Sequence, residues 1–319
     1  MIVFLSFVFM KNIFLSCFIV LIAQICVAQN DSSSTKYKVS HPTRVWIAGG
    51  GQALLWTGTF IALDKAWYAS YPKSAFHLFN DWNEWEQMDK WGHLWTAYQI
   101  SRASGELWNW TGVNENQAIL LGGVSGVAFQ GIIEILDGYS DKWGFSWGDM
   151  SLNIAGSATY VAQQLIWKKQ RIQIKLGYYP FKYDERLKSR ANSLFGETGI
   201  ERILKDYNSQ TYWISTNLDS FFPDAGFPKW LNIAVGYNAR LMLGGTENKW
   251  EDKSGLITDR TDIPRYKRFV LSADIDLTRI STKNKVLKTV FSVFNSIKIP
   301  APAISIDSKG RLNTYGMYF

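Results

Sequence analysis

The first half of the chain alternates long apolar stretches with short polar links. In each stretch apolar side chains recur at helical spacing, so four helices are predicted. They run from Val45 to Leu63, Glu86 to Trp110, Gln117 to Leu136 and Trp147 to Trp167. The third contains Gly122, Ser125 and Gly126, small residues that let helix backbones approach closely. Four helices with short links predict a bundle.

The second half changes to short alternating runs, which predict strands. The runs are Ile172 to Tyr179, Thr211 to Leu218, Leu231 to Leu243, Arg268 to Ile280, Ala303 to Ile306 and Leu312 to Phe319. We expect a partial barrel or an open antiparallel sheet, with the amphipathic stretch Lys285 to Ile297 across one end. The aromatic C-terminus resembles that of outer-membrane β-proteins. The predicted class is therefore α+β, a helical bundle followed by a strand-rich half.

The N-terminus has the three-part pattern of a secretory signal, with Lys11, an apolar run and the small-residue stop at Ala28. Met10 could serve as the start as well as Met1. A retained anchor is disfavoured because the apolar run is short for a span, and a lipid anchor because Ile25 precedes Cys26. The predicted organisation is a signal at 1–28, a flexible leader at 29–42, a helical domain at 43–170 and a basic strand-rich region at 171–319.

Both cysteines, Cys17 and Cys26, lie in the predicted signal. After cleavage no thiol would remain for a disulfide, a thiolate nucleophile or a cysteine-based metal site. We expect an exported protein of the periplasm or outer membrane, with the inner membrane as the alternative.

The net charge of +7 is divided unevenly along the chain. Residues 29–167 carry 8 Lys and Arg against 12 Asp and Glu, whereas residues 168–319 carry 25 against 15. A basic half suits an anionic surface, so membrane lipid or an anionic glycolipid is the expected partner, and other envelope proteins are further candidates. Export argues against nucleic acid. A merely solvated basic face is the competing interpretation.

Whether the helical half crosses a membrane stays open at this stage, because the mean hydropathy is only −0.11. Twelve of the 15 tryptophans lie before residue 168. Indole suits a membrane interface, where one side is wet and the other apolar. Packing in a soluble core is the competing account.

Three polar pairs stand out in the apolar helices, each spaced by four residues and therefore on one helix face. If the helices are neighbours the six side chains would converge, because polar groups in an apolar bundle are costly unless they satisfy one another. Lys90 and Asp137 lie beside them. The pairs are Asp89 with His93, Gln130 with Glu134, and Asp149 with Asn153.

This cluster has a functional and a structural interpretation. In the functional one His93 transfers protons, because imidazole titrates near neutrality and Glu134 or Asp149 would orient it. In the structural one the cluster is a hydrogen-bonded lock on helix register. A hard cation on Asp89, His93, Glu134 and Asp149 would be compatible with carboxylates, but we expect no bound metal and no cofactor. No Gly-x-Ser-x-Gly elbow supports a serine nucleophile.

The same residues resemble a known family. The segments Met88-Asp89-Lys90-Trp91-Gly92-His93, Glu134-Ile135-Leu136-Asp137-Gly138 and Ser146-Trp147-Gly148-Asp149 with Asn153 are similar to the YfiM-like family of predicted periplasmic lipoproteins. The likeness covers about Asp64 to Tyr160. The order of the polar positions is also similar to VanZ-like membrane proteins. The resemblance implies an envelope location and these site positions, and it implies no reaction.

Two functions follow as hypotheses. The first is a membrane-associated envelope protein with a structural, binding or assembly role and no enzymatic activity. The alternative is a membrane-embedded hydrolase or transferase on a lipid or lipid-linked substrate, in which His93 acts with Glu134 or Asp149.

Overall fold

The computed structural model describes residues 40–69, 71–252 and 254–319. It divides into two compact units that interleave along the chain. The helical unit contains Met1–Asn80 as far as it is described, Thr96–Gln170 and Ser281–Phe294, and the sheet unit contains Asp81–Trp95, Arg171–Ile280 and Asn295–Phe319. The predicted signal and all but the last residues of the leader lie outside the described residues.

The four predicted long helices are present, each within three residues of its expected ends. They are α1 (Pro42–Leu63), α2 (Met88–Trp110), α3 (Glu115–Gly138) and α4 (Trp147–Trp167). The first turns of α2, to Trp95, belong to the sheet unit. Of the helices in the described part of the chain, one, α3, is long and apolar enough to cross a membrane by length and composition.

Small residues bring the helices of the helical unit close together. A Cβ atom at Gly122 would lie 2.6 Å from the carbonyl oxygen of Ser101, and one at Gly126 would lie 2.5 Å from that of Ala97. The close approach of α3 to a neighbouring helix, predicted from its small residues, is confirmed. Because the space at these positions is filled by backbone, no larger side chain fits without moving a helix.

Serine and glutamine hydroxyl and amide groups form a seam between these helices. The Ser104 hydroxyl donates to Gln52 Oε1 at 3.0 Å, and Gln52 Nε2 donates to Ser125 Oγ at 2.8 Å. Ser101 Oγ donates to Ser157 Oγ at 3.0 Å. The contacts between these helices are therefore made by small and polar side chains that pack closely.

The sheet unit contains a six-stranded antiparallel sheet in the order β1-β2-β3-β6-β7-β8. Of the two predicted forms, the open sheet is confirmed, and it is no closed barrel. Its strands are β1 (Ile172–Tyr178), β2 (Gln210–Asn217), β3 (Leu231–Arg240), β6 (Tyr266–Ile275), β7 (Ala301–Asp307) and β8 (Leu312–Tyr318), and a separate hairpin is formed by β4 (Lys249–Glu251) and β5 (Ile257–Asp259).

Several short helices connect the strands. The hairpin and the first three of these helices were not predicted, because elements of three to eleven residues carry little periodicity. The amphipathic helix α8 was predicted from its pattern, and it belongs to the helical unit. The four short helices are α5 (Glu185–Phe195), α6 (Gly199–Lys205), α7 (Leu218–Phe221) and α8 (Lys285–Phe294).

One face of the sheet is buried and largely polar. Lys175 and Asp274 lie on it, with their ammonium and carboxylate groups 2.8 Å apart and both side chains fully buried. Lys298 lies over the ring of Trp213 on the same side. Burial, with a smaller contribution from the charge of Lys175, lowers the pKa of Lys298 to about 8 against the opposing effect of Asp274. Buried charge of this kind persists only when it is paired and hydrogen-bonded.

Candidate functional site

Asp89, Lys90 and His93 lie in the first turns of α2, within the sheet unit. Lys90 is buried, and its Nζ lies 2.7 Å from Asp81 Oδ1 and 3.7 Å from Asp89 Oδ2. His93 Nε2 lies 3.9 Å from Asp89 Oδ2. The hydroxyl of Tyr207 donates to Asp89 Oδ1 at 2.6 Å. The carboxylate of Asp89 is therefore shared by a phenol, an ammonium group and an imidazole.

A left-handed turn positions the start of α2. Trp85, Glu86 and Gln87 have φ values of 48°, 51° and 62°. Each such residue costs roughly 1–2 kcal/mol relative to a right-handed conformation. Two contacts with β6 and the residue before it offset this cost. Glu86 pairs with Arg265 at 3.1 Å, and Gln87 Oε1 accepts a hydrogen bond from Lys267 Nζ at 2.6 Å.

The same helical turns pack on the sheet through large side chains. Met88 is fully buried among Tyr212, Tyr237 and Met242. Gly92 fits where a Cβ atom would lie 3.1 Å from the hydroxyl of Tyr212. Burial, and then the negative charge of Asp89, raise the pKa of Tyr212, so its phenol stays protonated. Packing against these aromatic side chains holds the helical turn that carries Asp89 on the sheet.

Gln130, Glu134, Asp149 and Asn153 are buried within the helical unit. Gln130 Nε2 donates to Asn153 Oδ1 at 3.3 Å across α3 and α4. Glu134 Oε2 accepts the backbone N–H of Ser146 at 3.2 Å. The hydroxyl of Ser146 in turn accepts the backbone N–H of Asp149 at 3.1 Å and caps α4. These contacts link the start of α4 to the end of α3.

Asp137 lies one turn beyond Glu134. Its Oδ1 accepts a hydrogen bond of 2.7 Å from the hydroxyl of Tyr68. Burial, followed by the charges of Asp137 and Glu134, raises the pKa of Tyr68. The phenol is therefore a permanent donor that fixes the Asp137 carboxylate.

The six paired positions are divided between the two units. Asp89 and His93 belong to the sheet unit, and the other four belong to the helical unit. Two contacts join members of the set, one between His93 and Asp89 and one between Gln130 and Asn153. The convergence of all six stays a prediction. Asp89 and His93 could supply two ligand atoms to a cation.

Sequence reasoning missed Tyr207, Tyr68 and Ser146 as partners. Tyr207 lies 118 residues from Asp89 along the chain, and nothing local marks it. Ser146 had a readable signal, because Ser-x-x-Asp before an apolar run is typical of a helix N-terminus. No comparable sequence pattern identifies Tyr68 as a partner of Asp137.

The helical unit therefore combines polar, small-residue seams with buried carboxylates at Glu134 and Asp149, and no Gly-x-Ser-x-Gly elbow occurs in the sequence. Residues 78–164 match the model of DUF2279, described as a predicted periplasmic lipoprotein. The match includes every predicted site position and names no activity. The comparisons with curated proteins and with solved structures gave no match.

The description agrees with the location predicted from the sequence, which is export to the periplasm or outer membrane. It names a lipid-modified protein, whereas the sequence disfavours a lipid anchor. Cys26, on which that prediction depends, lies outside the described residues.

Proposed function

We propose that this chain is a membrane-attached protein of the cell envelope with a structural, binding or assembly role. Its buried polar groups lock helices and strands in register, and its basic half contacts anionic lipid, glycolipid or another envelope protein. The likeness of its motifs to YfiM-like and VanZ-like proteins supports the location and the importance of the polar positions.

The observation that carries this proposal is the inverted polarity of the helical unit. Large apolar side chains on α1, α3 and α4 are exposed, including Trp46 at 80%, Val124 at 63% and Ile166 at 71%. Gln130 and Asn153 are buried in the same unit. Proteins in water rarely expose so much apolar surface. Helices in lipid pack through small and polar residues and turn large apolar ones outward.

Cell fractionation tests the attachment. Inner and outer membranes are separated on a density gradient, and a tagged copy is followed with and without an alkaline carbonate wash. We expect the chain in the outer-membrane fraction and resistant to carbonate, because the apolar exterior lies in hydrocarbon. Release of the chain by carbonate would contradict membrane attachment.

The same experiment separates two roles. Carbonate-resistant material in the outer membrane favours an assembly or surface role. Carbonate-resistant material in the inner membrane would contradict the expected outer-membrane location and would call for tests of Glu134 and Asp149 as functional ionisable groups within the bundle. That result would favour the lipid-acting alternative.

One observation favours this alternative, a hydrolase or transferase on a lipid or lipid-linked substrate. Asp89 lies beside His93 and is oriented by the hydroxyl of Tyr207. A carboxylate held in this way could orient an imidazole for proton transfer.

Replacing His93 by Ala distinguishes the two roles. If the polar groups are a lock, the substitution lowers the free energy of unfolding by about 1–3 kcal/mol, because a largely buried hydrogen-bonding group is lost. Chemical denaturation followed by far-ultraviolet circular dichroism measures the change. The exposed His41, whose side chain makes no capping hydrogen bond, is the control, and its replacement by Ala should change stability by no more than about 0.5 kcal/mol. Unchanged stability of His93→Ala together with a lost cellular phenotype would count against the lock.

A further inference from the structure

One face of the six-stranded sheet is covered at one end by the first turns of α2. Beyond them it carries a continuous row of exposed aliphatic side chains. Ile214 is paired with Val235, Val235 with Leu271, and Leu271 with Ile304, so the row crosses β2, β3, β6 and β7. A second row joins Phe269 to Ile306 and Ile306 to Leu312. All are exposed, Leu312 at 71% and Ile304 at 55%. We call these side chains, together with Ile233, the apolar band.

The opposite face of the same strands is buried and largely polar, around a small apolar cluster. Ser215 is paired with Ala234, and Ala234 with Ser272. Asp274 accepts a hydrogen bond of 2.6 Å from Ser215 and pairs with Lys175. A sheet in water turns its apolar face to the core and its polar face to solvent. This sheet does the reverse, as strands that face lipid do.

Aromatic residues border the band at one end. The loop from β2 to β3 exposes Phe221, Phe222, Phe227 and Trp230, next to the exposed Lys229. The guanidinium of Arg171 lies 5.8 Å from the ring centre of Phe221 and donates to the carbonyl oxygen of Ser220 at 3.0 Å. Aromatic rings with basic neighbours are typical of the headgroup level of a membrane.

A groove of about 500 Å³ runs over the band beside this loop. Leu231, Ile233, Leu271, Ile304 and Tyr315 are among its lining residues. An open apolar groove can accommodate a flexible hydrocarbon chain without desolvating polar groups.

We propose that the apolar band and the β2–β3 loop form a lipid-contact surface. Phospholipid acyl chains lie on the band, and the loop aromatics lie at the headgroup level with Lys229 and Arg171 near the phosphates. This proposal rests on the membrane attachment proposed above and adds a contact surface on the sheet unit.

Site-specific labels test it in the full chain with Cys17 and Cys26 replaced by Ser, where each added cysteine is unique. A polarity-sensitive fluorophore is attached at Leu271→Cys or Ile304→Cys on the band. Leu256→Cys is the matched control, since Leu256 is 64% exposed in the same unit but outside the six-stranded sheet. Val124→Cys reports on the helical unit.

The labelled chains are reconstituted into vesicles of phosphatidylethanolamine and phosphatidylglycerol, with and without bromine on the acyl chains. We expect the emission of the Leu271 and Ile304 labels to shift to the blue and to be quenched by the brominated lipid. The Leu256 label should keep its aqueous emission. Near-ultraviolet circular dichroism checks that each labelled chain is folded.

The outcomes separate this proposal from the proposed function. Quenching at Val124 without quenching at Leu271 and Ile304 would overturn the lipid-contact surface and leave membrane attachment standing. Absence of quenching at Val124 would contradict the attachment of the helical unit itself. A blue shift of the band labels that grows with protein concentration and needs no lipid would show that a second copy covers the band, and would overturn the proposal.

Discussion

Replacing Asp274 by Ala is expected to lower the free energy of unfolding by about 3–5 kcal/mol, because the change leaves a buried ammonium group without its counter-charge. Lys175 and Asp274 are both fully buried and 2.8 Å apart. Asp274 also accepts the backbone N–H of Ile299 at 3.2 Å. Lys298 is buried nearby, so the variant would hold two lysines beside one another without a carboxylate between them. Denaturation by guanidinium chloride, followed by circular dichroism, measures the loss.

An exposed ion pair in the same unit provides the control. Glu185 pairs with Lys188 at 2.5 Å, but both side chains are more than half exposed. Surface pairs contribute about 0–1 kcal/mol, so Glu185→Ala should change stability by no more than that. The double variant Lys175→Met, Asp274→Leu removes both charges and should recover part of the loss. A loss below about 1 kcal/mol in Asp274→Ala would contradict a buried pair.

The second large effect is expected at Gly126. In Gly126→Ala the new Cβ would lie 2.2 Å from Ser101 Oγ, 2.5 Å from the carbonyl oxygen of Ala97 and 2.6 Å from Ser157 Oγ. One of these atoms belongs to backbone, so the helices must separate. Overpacking of this kind costs about 1–3 kcal/mol and occasionally more, and we expect about 3 kcal/mol here. Loss of the Ser101–Ser157 hydrogen bond would accompany it.

Gly58→Ala is the matched control for that substitution. Gly58 lies inside α1, and a Cβ atom there would meet nothing within 4 Å. Alanine is favoured over glycine inside a helix by roughly 0.8–1 kcal/mol, so stability should rise slightly. Equal effects at Gly58 and Gly126 would show that helix propensity, and not close packing, determines the result.

Most of the regular structure was predictable from the sequence. The four long helices and six sheet strands were located from periodicity, and α4 has the predicted ends. Long periodic segments are recognisable because many side chains repeat the same signal. The left-handed turn at Trp85 to Gln87 was not predicted, since it depends on partners in the sheet unit rather than on local preference.

The candidate site was predictable in part. Gln130 and Asn153 meet as two polar residues on neighbouring helix faces should. The hydrogen-bond partner of Asp89 could not be predicted from the sequence, because only the fold brings Tyr207 close to it. The division of the six positions between two units was equally unreadable, because the first turns of α2 pack on the sheet although they are continuous with a helix of the other unit.

The sequence by itself determined the order of the four long helices and the six sheet strands, and the location in the envelope. The sequence did not determine which of the two alternating sets of residues in a strand is buried. In β6 the periodicity is equally satisfied with Phe269 and Leu271 inside or outside, and the pattern suggested an ordinary half-buried strand. The tertiary structure turns them outward and places Asp274 inside, where Lys175 and Ser215 satisfy it. Alternation is a local property, whereas the inward face is chosen by partners far apart in the chain.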